Sequence, residues 1–202
     1  GAMLWSLNIS YWLTLALAFP AALFLVRAFI IFHDCCHRSF FKSQAANEWL
    51  GRVLGVLTFT PFTHWGHHHA IHHATAGNLD KRGVGDVKTM TLAEYLSSPW
   101  WKRLGYRIMR NPVFLFTIGA SFVFLVSHRF WTPNSSRRDR LSVLTTNLAL
   151  LGTLLVVGLL VGFKQLLLIQ LPIMVIASTV GVWMFYVQHQ FEGVYWARKD
   201  QW

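Results

Sequence analysis

Residues 12–32 form an apolar run of 21 positions broken by a single charge, Arg27, close to its far end. About 20 apolar residues cross a bilayer as a helix, and a cationic side chain near the end of a span can reach the interface. The run therefore predicts a transmembrane helix over 12–32, with Pro20 as a candidate kink. Two more runs, 143–163 and 166–187, are uncharged and 21 and 22 residues long. The minimal turn around Lys164 makes them a helical hairpin. Between these spans lie shorter patterns. Residues 48–62 mix Trp49, Leu50, Val53, Leu54 and Val56 with Gly51 and Arg52, which predicts an interfacial or shallow re-entrant helix that returns the chain to the surface it came from. A polar loop over 74–88 follows, with Gly77, Gly83 and Gly85; its Gly83-Val84-Gly85 run is too slight to be a phosphate loop. Residues 91–110 predict a basic surface helix broken near Pro99, with Trp100, Trp101 and Tyr106 suited to the headgroup zone. The apolar stretch 112–126 is short and flanked by positive charge at both ends, so it dips into the membrane and returns, or lies in the interface.

These elements predict an all-α integral membrane protein, one domain over 1–202, built of transmembrane and interfacial helices. Composition agrees: 54% of residues are hydrophobic and 13% charged, against about a quarter charged in soluble domains. The net charge of +10 sits beside apolar spans, at Lys81 and Arg82, over 102–110 and over 129–140. That is the pattern of the positive-inside rule and argues against nucleic acid as a partner, while leaving room for anionic headgroups or an acidic redox partner. It places the loop 129–140 on the cytoplasmic side and Lys164 opposite. The adjacent Cys35 and Cys36 read as reduced thiols facing a cytosol-like compartment. Neither terminus looks natural, so the chain is expected to be a piece of a longer protein, truncated at both ends.

The candidate chemistry is histidine. Six of the ten histidines fall within His64-Trp65-Gly66-His67-His68-His69-Ala70-Ile71-His72-His73. In a helix, His69, His72 and His73 share a face. Upstream, His33-Asp34-Cys35-Cys36-His37 places two histidines four apart, and Gln188-His189-Gln190 follows the last span. An imidazole site suits iron, copper, zinc or nickel. Seven candidates (His33, His37, His69, His72, His73 and His189, with His64 least secure) exceed the needs of one four-coordinate metal, which favours two metals. All three segments cap or follow apolar helices on one face, here the cytoplasmic one. A transporter places its ligands near the bilayer midplane. A metal centre at the mouth of an apolar bundle suits a substrate that enters from lipid.

These motifs resemble the membrane fatty-acid desaturases. His33-Asp34-Cys35-Cys36-His37 fits their HxxxH box and His69-Ala70-Ile71-His72-His73 their HxxHH box. Residues 185–192 and 72–80 look like the acyl-lipid Δ12/ω-6 branch. His64-Trp65-Gly66-His67-His68 also satisfies HxxHH, but the Ala-Thr after His73 favours the later register and leaves His67 and His68 as surface histidines. Cys36 and Arg38 stand where related sequences often carry glycine. The resemblance implies two iron ions held by His33, His37, His69, His72, His73 and His189, with O2 as co-substrate. It implies a fatty acyl lipid receiving a cis double bond and electrons from a ferredoxin or cytochrome-type donor. Asp34 would orient a ligand; His64, Asn78 and Asp80 are weaker candidates for supporting roles. The resemblance also implies a bacterial inner membrane as the setting, with the site on its cytoplasmic side. The family carries a third HxxHH box beyond the Gln-His-Gln segment, where this chain stops, so the piece alone is expected not to desaturate. Related di-iron hydroxylases or oxygenases of lipids or carotenoids are the alternative on the same scaffold, and a membrane metal transporter a more distant one.

Overall fold

The computed structural model describes residues 1–202, and every regular element is a helix. A short α1 (Ala2–Ser6) leads into α2 (Tyr11–Cys36). This helix continues beyond the apolar run because nothing in His33-Asp34-Cys35-Cys36 breaks a helix. It thus carries His33 in its last turn, with His37 as C-cap. Arg38 then adopts φ +58°, the left-handed conformation that ends helices and favours glycine. Asn47 fastens the turn that follows. It is 1% exposed; its Nδ2 donates to the carbonyls of Phe41 (2.8 Å) and Ser43 (2.9 Å), while its Oδ1 accepts from the Phe41 N–H at 3.0 Å.

Helix α3 (Gln44–Leu57) begins at that turn, where Ser43 Oγ accepts from the Ala46 N–H, and ends at Thr58. It is offset from the 48–62 expected, since its start is set by polar caps that hydropathy does not register, and Phe62 belongs to the next helix. Its small residues face neighbours closely. A Cβ on Gly55 would stand 2.5 Å from the Thr60 carbonyl oxygen, a backbone atom that cannot rotate away. Gly55→Ala is therefore expected to destabilise the protein by about 1–3 kcal/mol, the usual cost of overpacking, seen as a lower unfolding temperature in detergent. Gly66→Ala, whose Cβ would meet Cys36 Sγ at 3.4 Å, should be close to neutral.

After the turn at 58–61 comes α4 (Phe62–Thr75), the histidine-rich helix. Its N-cap, Pro61, offers no side-chain acceptor; Ser142 Oγ instead accepts from the backbone N–H of Thr63 at 3.0 Å, satisfying a donor that a helix start leaves open. Beneath the histidines, Phe29, Phe32, Phe62 and Trp65 pack edge-on and stacked at centroid separations of 5.2–5.6 Å. The surface segment is two helices, α5 (Leu92–Ser97) and α6 (Trp100–Arg110), separated at Pro99. A π-helical turn (Phe114–Gly119) then runs into α7 (Ala120–Leu125), and the whole stretch 114–129 is bent by 72° from α6.

The hairpin is α8 (Arg137–Val161) and α9 (Phe163–His189). Its turn is at Gly162, φ +93°, rather than around Lys164, because only glycine adopts that conformation without strain. Helix α8 starts within the basic loop, six residues before the apolar run, because Ser136 and Asp139 form a capping box there. Helices α2, α8 and α9 are long and apolar enough to cross a membrane, and the bent pair around residue 112 supplies a fourth span if its halves count together. Their outward faces carry exposed leucines and phenylalanines such as Phe24, Leu151 and Leu160, surface that water would not tolerate at this extent. Helix α9 lies against α2, and the ends of α2, α4 and α9 that bear histidines meet at one end of the bundle.

Candidate metal centre

Four imidazoles converge where α2 meets α4. His33, His37, His69 and His73 each offer a ring nitrogen, and those atoms lie within 4.8 Å of one another. They form a chain of Nε2 contacts: His33 to His37 at 3.2 Å, His37 to His69 at 3.1 Å, His69 to His73 at 3.0 Å. The pairs 33/37 and 69/73 are each one helical turn apart, so each helix delivers two rings to the same place. A neutral imidazole has one N–H. With a single proton per ring, at most two of the three contacts can be hydrogen bonds, so at least one contact is left without one. Nitrogens about 2.0–2.1 Å from a common metal stand roughly 3.0–3.4 Å apart, which is close to the spacing seen.

His72 turns away from this group toward α9, because its position on α4 is rotated from those of His69 and His73. Its Nε2 lies 2.8 Å from His189 Nε2. Here both Nδ1 atoms face acceptors. His189 Nδ1 donates to the Phe185 carbonyl at 2.8 Å, and His72 Nδ1 is 2.7 Å from Asp86 Oδ1, close though off the ideal N–H line. A proton at both Nδ1 atoms leaves two bare Nε2 lone pairs pointing at each other. That arrangement is repulsive unless a cation lies between them, and imidazole nitrogen is the donor type that suits iron and its neighbours. The residues present fit a histidine-bound metal centre.

Burial and mutual proximity make three of the rings harder to protonate. His69 is pushed down to about 3, first by burial and then by His33, His73, His37 and His72 around it. His37 and His73 are lowered by the same causes. Trp65 stacks on His69 at 4.3 Å and 21°, shielding one ring face and fixing its orientation. Asp34 Oδ1 lies 3.3 Å from His33 Nδ1, where a carboxylate can hold the proton on the far side of the ring.

Asp86 was not legible as a partner of His72. The signal in the sequence is Gly85 before it: at φ +71°, with a would-be Cβ 3.2 Å from His72 Cβ, this glycine lets the loop run directly against α4. His64 lies outside the cluster, buried on another face of α4 beside His68. Asn78 and Asp80 serve the chain's last residues rather than the histidines. Asn78 bridges to Ala197, and the Leu79 N–H donates to the Ala197 carbonyl at 2.8 Å. Asp80 accepts from Arg198 at 2.7 Å and from the Lys199 N–H at 3.0 Å. Glu94, which pairs with Arg82, lies 3.8 Å from Arg198 as well. The segment after His189 is thereby tied to the loop after α4. A cavity of about 200 Å³ remains beneath this tie, lined by His72, Asp86, Phe185, His189, Phe191 and Tyr195 among others.

Both carboxyls in that tie are depressed. The Lys199 N–H and then Arg198 lower Asp80; hydrogen bonds from Arg82 and the Thr91 N–H bring Glu94 from its ordinary 4.5 to about 2. A depressed carboxyl stabilises above its ordinary pKa and loses that contribution as pH falls through the folded value. Protection of the Leu79 and Ala197 amides from hydrogen exchange should therefore hold above pH 4.5 and decline toward pH 2. Protection unchanged down to pH 2 would show that these ion pairs do not hold the segment.

A family model described as fatty acid desaturase matches residues 10–202. A fatty acid desaturase of Bacillus subtilis (strain 168) is 47% identical over 197 residues, covering 98% of this chain and 56% of that protein. An sn-1 acyl-lipid omega-3 desaturase (ferredoxin) of Synechocystis is 26% identical over 186 residues, 86% of this chain and 49% of its own length. An sn-1 oleoyl-lipid 12-desaturase of Synechocystis is 33% identical over 116 residues, 57% of this chain and 32% of its own. The chain thus spans about half the length of the curated relatives most fully matched. No solved structure matches it. With two histidine boxes brought together at one end of an apolar helical bundle, and with these likenesses over nearly its whole length, the chain belongs to the fatty acid desaturase family.

Proposed function

We propose that this chain provides the histidine-bound metal centre of an O2-dependent acyl-lipid desaturase, which places a cis double bond in the acyl chain of a membrane lipid. The observation that carries the reading is the double convergence of imidazoles: four ring nitrogens within 4.8 Å, and beside them the opposed Nε2 atoms of His72 and His189. His33, His37, His69 and His73 would hold one iron, and His72 and His189 would contribute to a second. Iron, when bound, supplies the oxidising power toward an unactivated C–H bond that no side chain possesses.

The chain's own residues do the rest. Asp34 and Asp86 hold His33 and His72 with their Nε2 lone pairs inward. Trp65 and the phenylalanines below it exclude water from one side of the cluster. The cavity next to His72 and His189, with Val87, Phe185, Phe191 and Val194 in its walls, offers an apolar place for an acyl segment arriving from the bilayer. Two Synechocystis and Nostoc relatives carry ferredoxin in their names, which supports a ferredoxin-class donor. The cationic groups at the start of α8, Arg137, Arg138 and Arg140, support a site on the cytoplasmic face of a bacterial inner membrane.

The test is a graft. This chain replaces the matching region of the Bacillus relative, and lipids of a host expressing the chimera are analysed for new double bonds. New unsaturated acyl chains, absent when His37 and His73 are both alanine, are expected. A chimera that inserts and binds iron yet leaves the lipid profile unchanged would contradict the reading.

A further inference from the structure

Helix α4 carries a second histidine face that the cluster does not use. His64 and His68 are one turn apart, and their ring centroids lie 4.5 Å apart. That equals the 4.5 Å of His33 and His37 and nearly the 4.4 Å of His69 and His73, so this third pair has the same ring spacing as the two that converge where α2 meets α4. Its surroundings differ. His64 is 8% exposed, and its Nε2 is buried with no hydrogen-bond partner, an arrangement that is costly if nothing binds it. The pair faces α8, whose Ser142 accepts from the His64 backbone N–H. Asp139, also on α8 and 2% exposed, accepts from His67 Nδ1 at 3.1 Å and acts electrostatically on both His64 and His68.

We propose that His64 and His68 bind a second kind of metal ion, a divalent transition metal of the zinc class, on the α8 side of α4, apart from the desaturase-type cluster. Two imidazoles one turn apart offer two nitrogen donors to one ion, and water completes its coordination. The buried carboxylate of Asp139 balances the charge that the ion brings. Zinc stands above iron(II) in affinity for nitrogen donors, so a site with few ligands favours it. The ion would fasten α4 to the start of α8 and thereby hold the helix that presents the main cluster. This proposal does not depend on which metal that cluster holds or on any reaction there.

Zinc itself is the probe. The chain is purified in detergent, stripped of metal, and titrated with Zn2+ against a chromophoric chelator. Beside the unaltered chain stand His64→Gln/His68→Gln, His68→Gln alone, and His37→Ala/His73→Ala. The expected result is one zinc fewer in His64→Gln/His68→Gln, with that zinc retained in His37→Ala/His73→Ala. His68→Gln, a change at a half-exposed position that leaves the buried His64 in place, should weaken the same zinc. On the unaltered chain, saturating Zn2+ should slow carbethoxylation of His68, read by mass spectrometry. Equal zinc counts with and without His64 and His68, or His68 reactivity indifferent to zinc, would overturn the proposal.

Discussion

Replacing His69 with alanine is expected to lower iron bound per chain by about tenfold or more, with the helical content unchanged. His69 stands at the middle of the cluster: its Nε2 contacts those of both His37 and His73, and its 3.1 Å approach to His37 joins the α2 pair to the α4 pair. Its loss leaves His33 and His37 on one side and His73 on the other. Loss of a mere outer support for a ligand costs about 10–100-fold in metal affinity, and removal of a ligand should cost at least as much. His67→Ala, directed at Asp139 instead, should leave the iron content near that of the unaltered chain. Metal analysis of the two purified variants decides. If His67→Ala empties the site and His69→Ala does not, the earlier HxxHH register, starting at His64, is the one that binds.

The second large effect is expected at Asp86, which touches no metal. Asp86→Ala should weaken the iron associated with His72 and His189 by about 10–100-fold, while the iron held by His33, His37, His69 and His73 stays. The carboxylate, 9% exposed and 2.7 Å from His72 Nδ1, would favour the tautomer protonated there, the one that leaves Nε2 bare toward His189. Without it the ring is free to place its proton on Nε2, where it blocks the metal. Asp86→Asn, whose amide oxygen can still accept from Nδ1, should fall between. Iron titration of the three proteins separates this positioning role from simple collapse of the loop, since collapse would affect Asn and Ala alike. Two unaltered iron affinities in Asp86→Ala would contradict it.

The histidine pairs were legible because helical spacing is a local property. Residues four apart on α2 and on α4 must share a face, and the spans on either side fix that both faces lie at one end of the bundle. His189 was legible as a candidate, but its contact with His72 was not. Its contact with His72 joins residues 117 positions apart, and only the packing of α9 beside α2 and α4 brings them together. Asp86 stayed hidden because the feature that matters is the backbone of Gly85, whose lack of a side chain lets the loop approach α4. Conversely, Asn78 and Asp80 attract attention by following the second box directly, yet the Asn78 side chain accepts from the Asp80 N–H, and Asp80 in turn accepts from Arg198 and Lys199. Three helix boundaries departed from the apolar runs for a shared reason. Ser43, Ser136 and Gly162 set them by capping and by backbone conformation, and hydropathy registers neither.

Iron-edge X-ray absorption on the chain loaded with iron(II) without oxygen tests the central claim most directly. The account predicts a first shell of nitrogen with the outer-shell scattering of several imidazole rings per iron, diminished in His37→Ala and in His69→Ala. An oxygen-dominated shell without imidazole scattering, unchanged by either substitution, would contradict it.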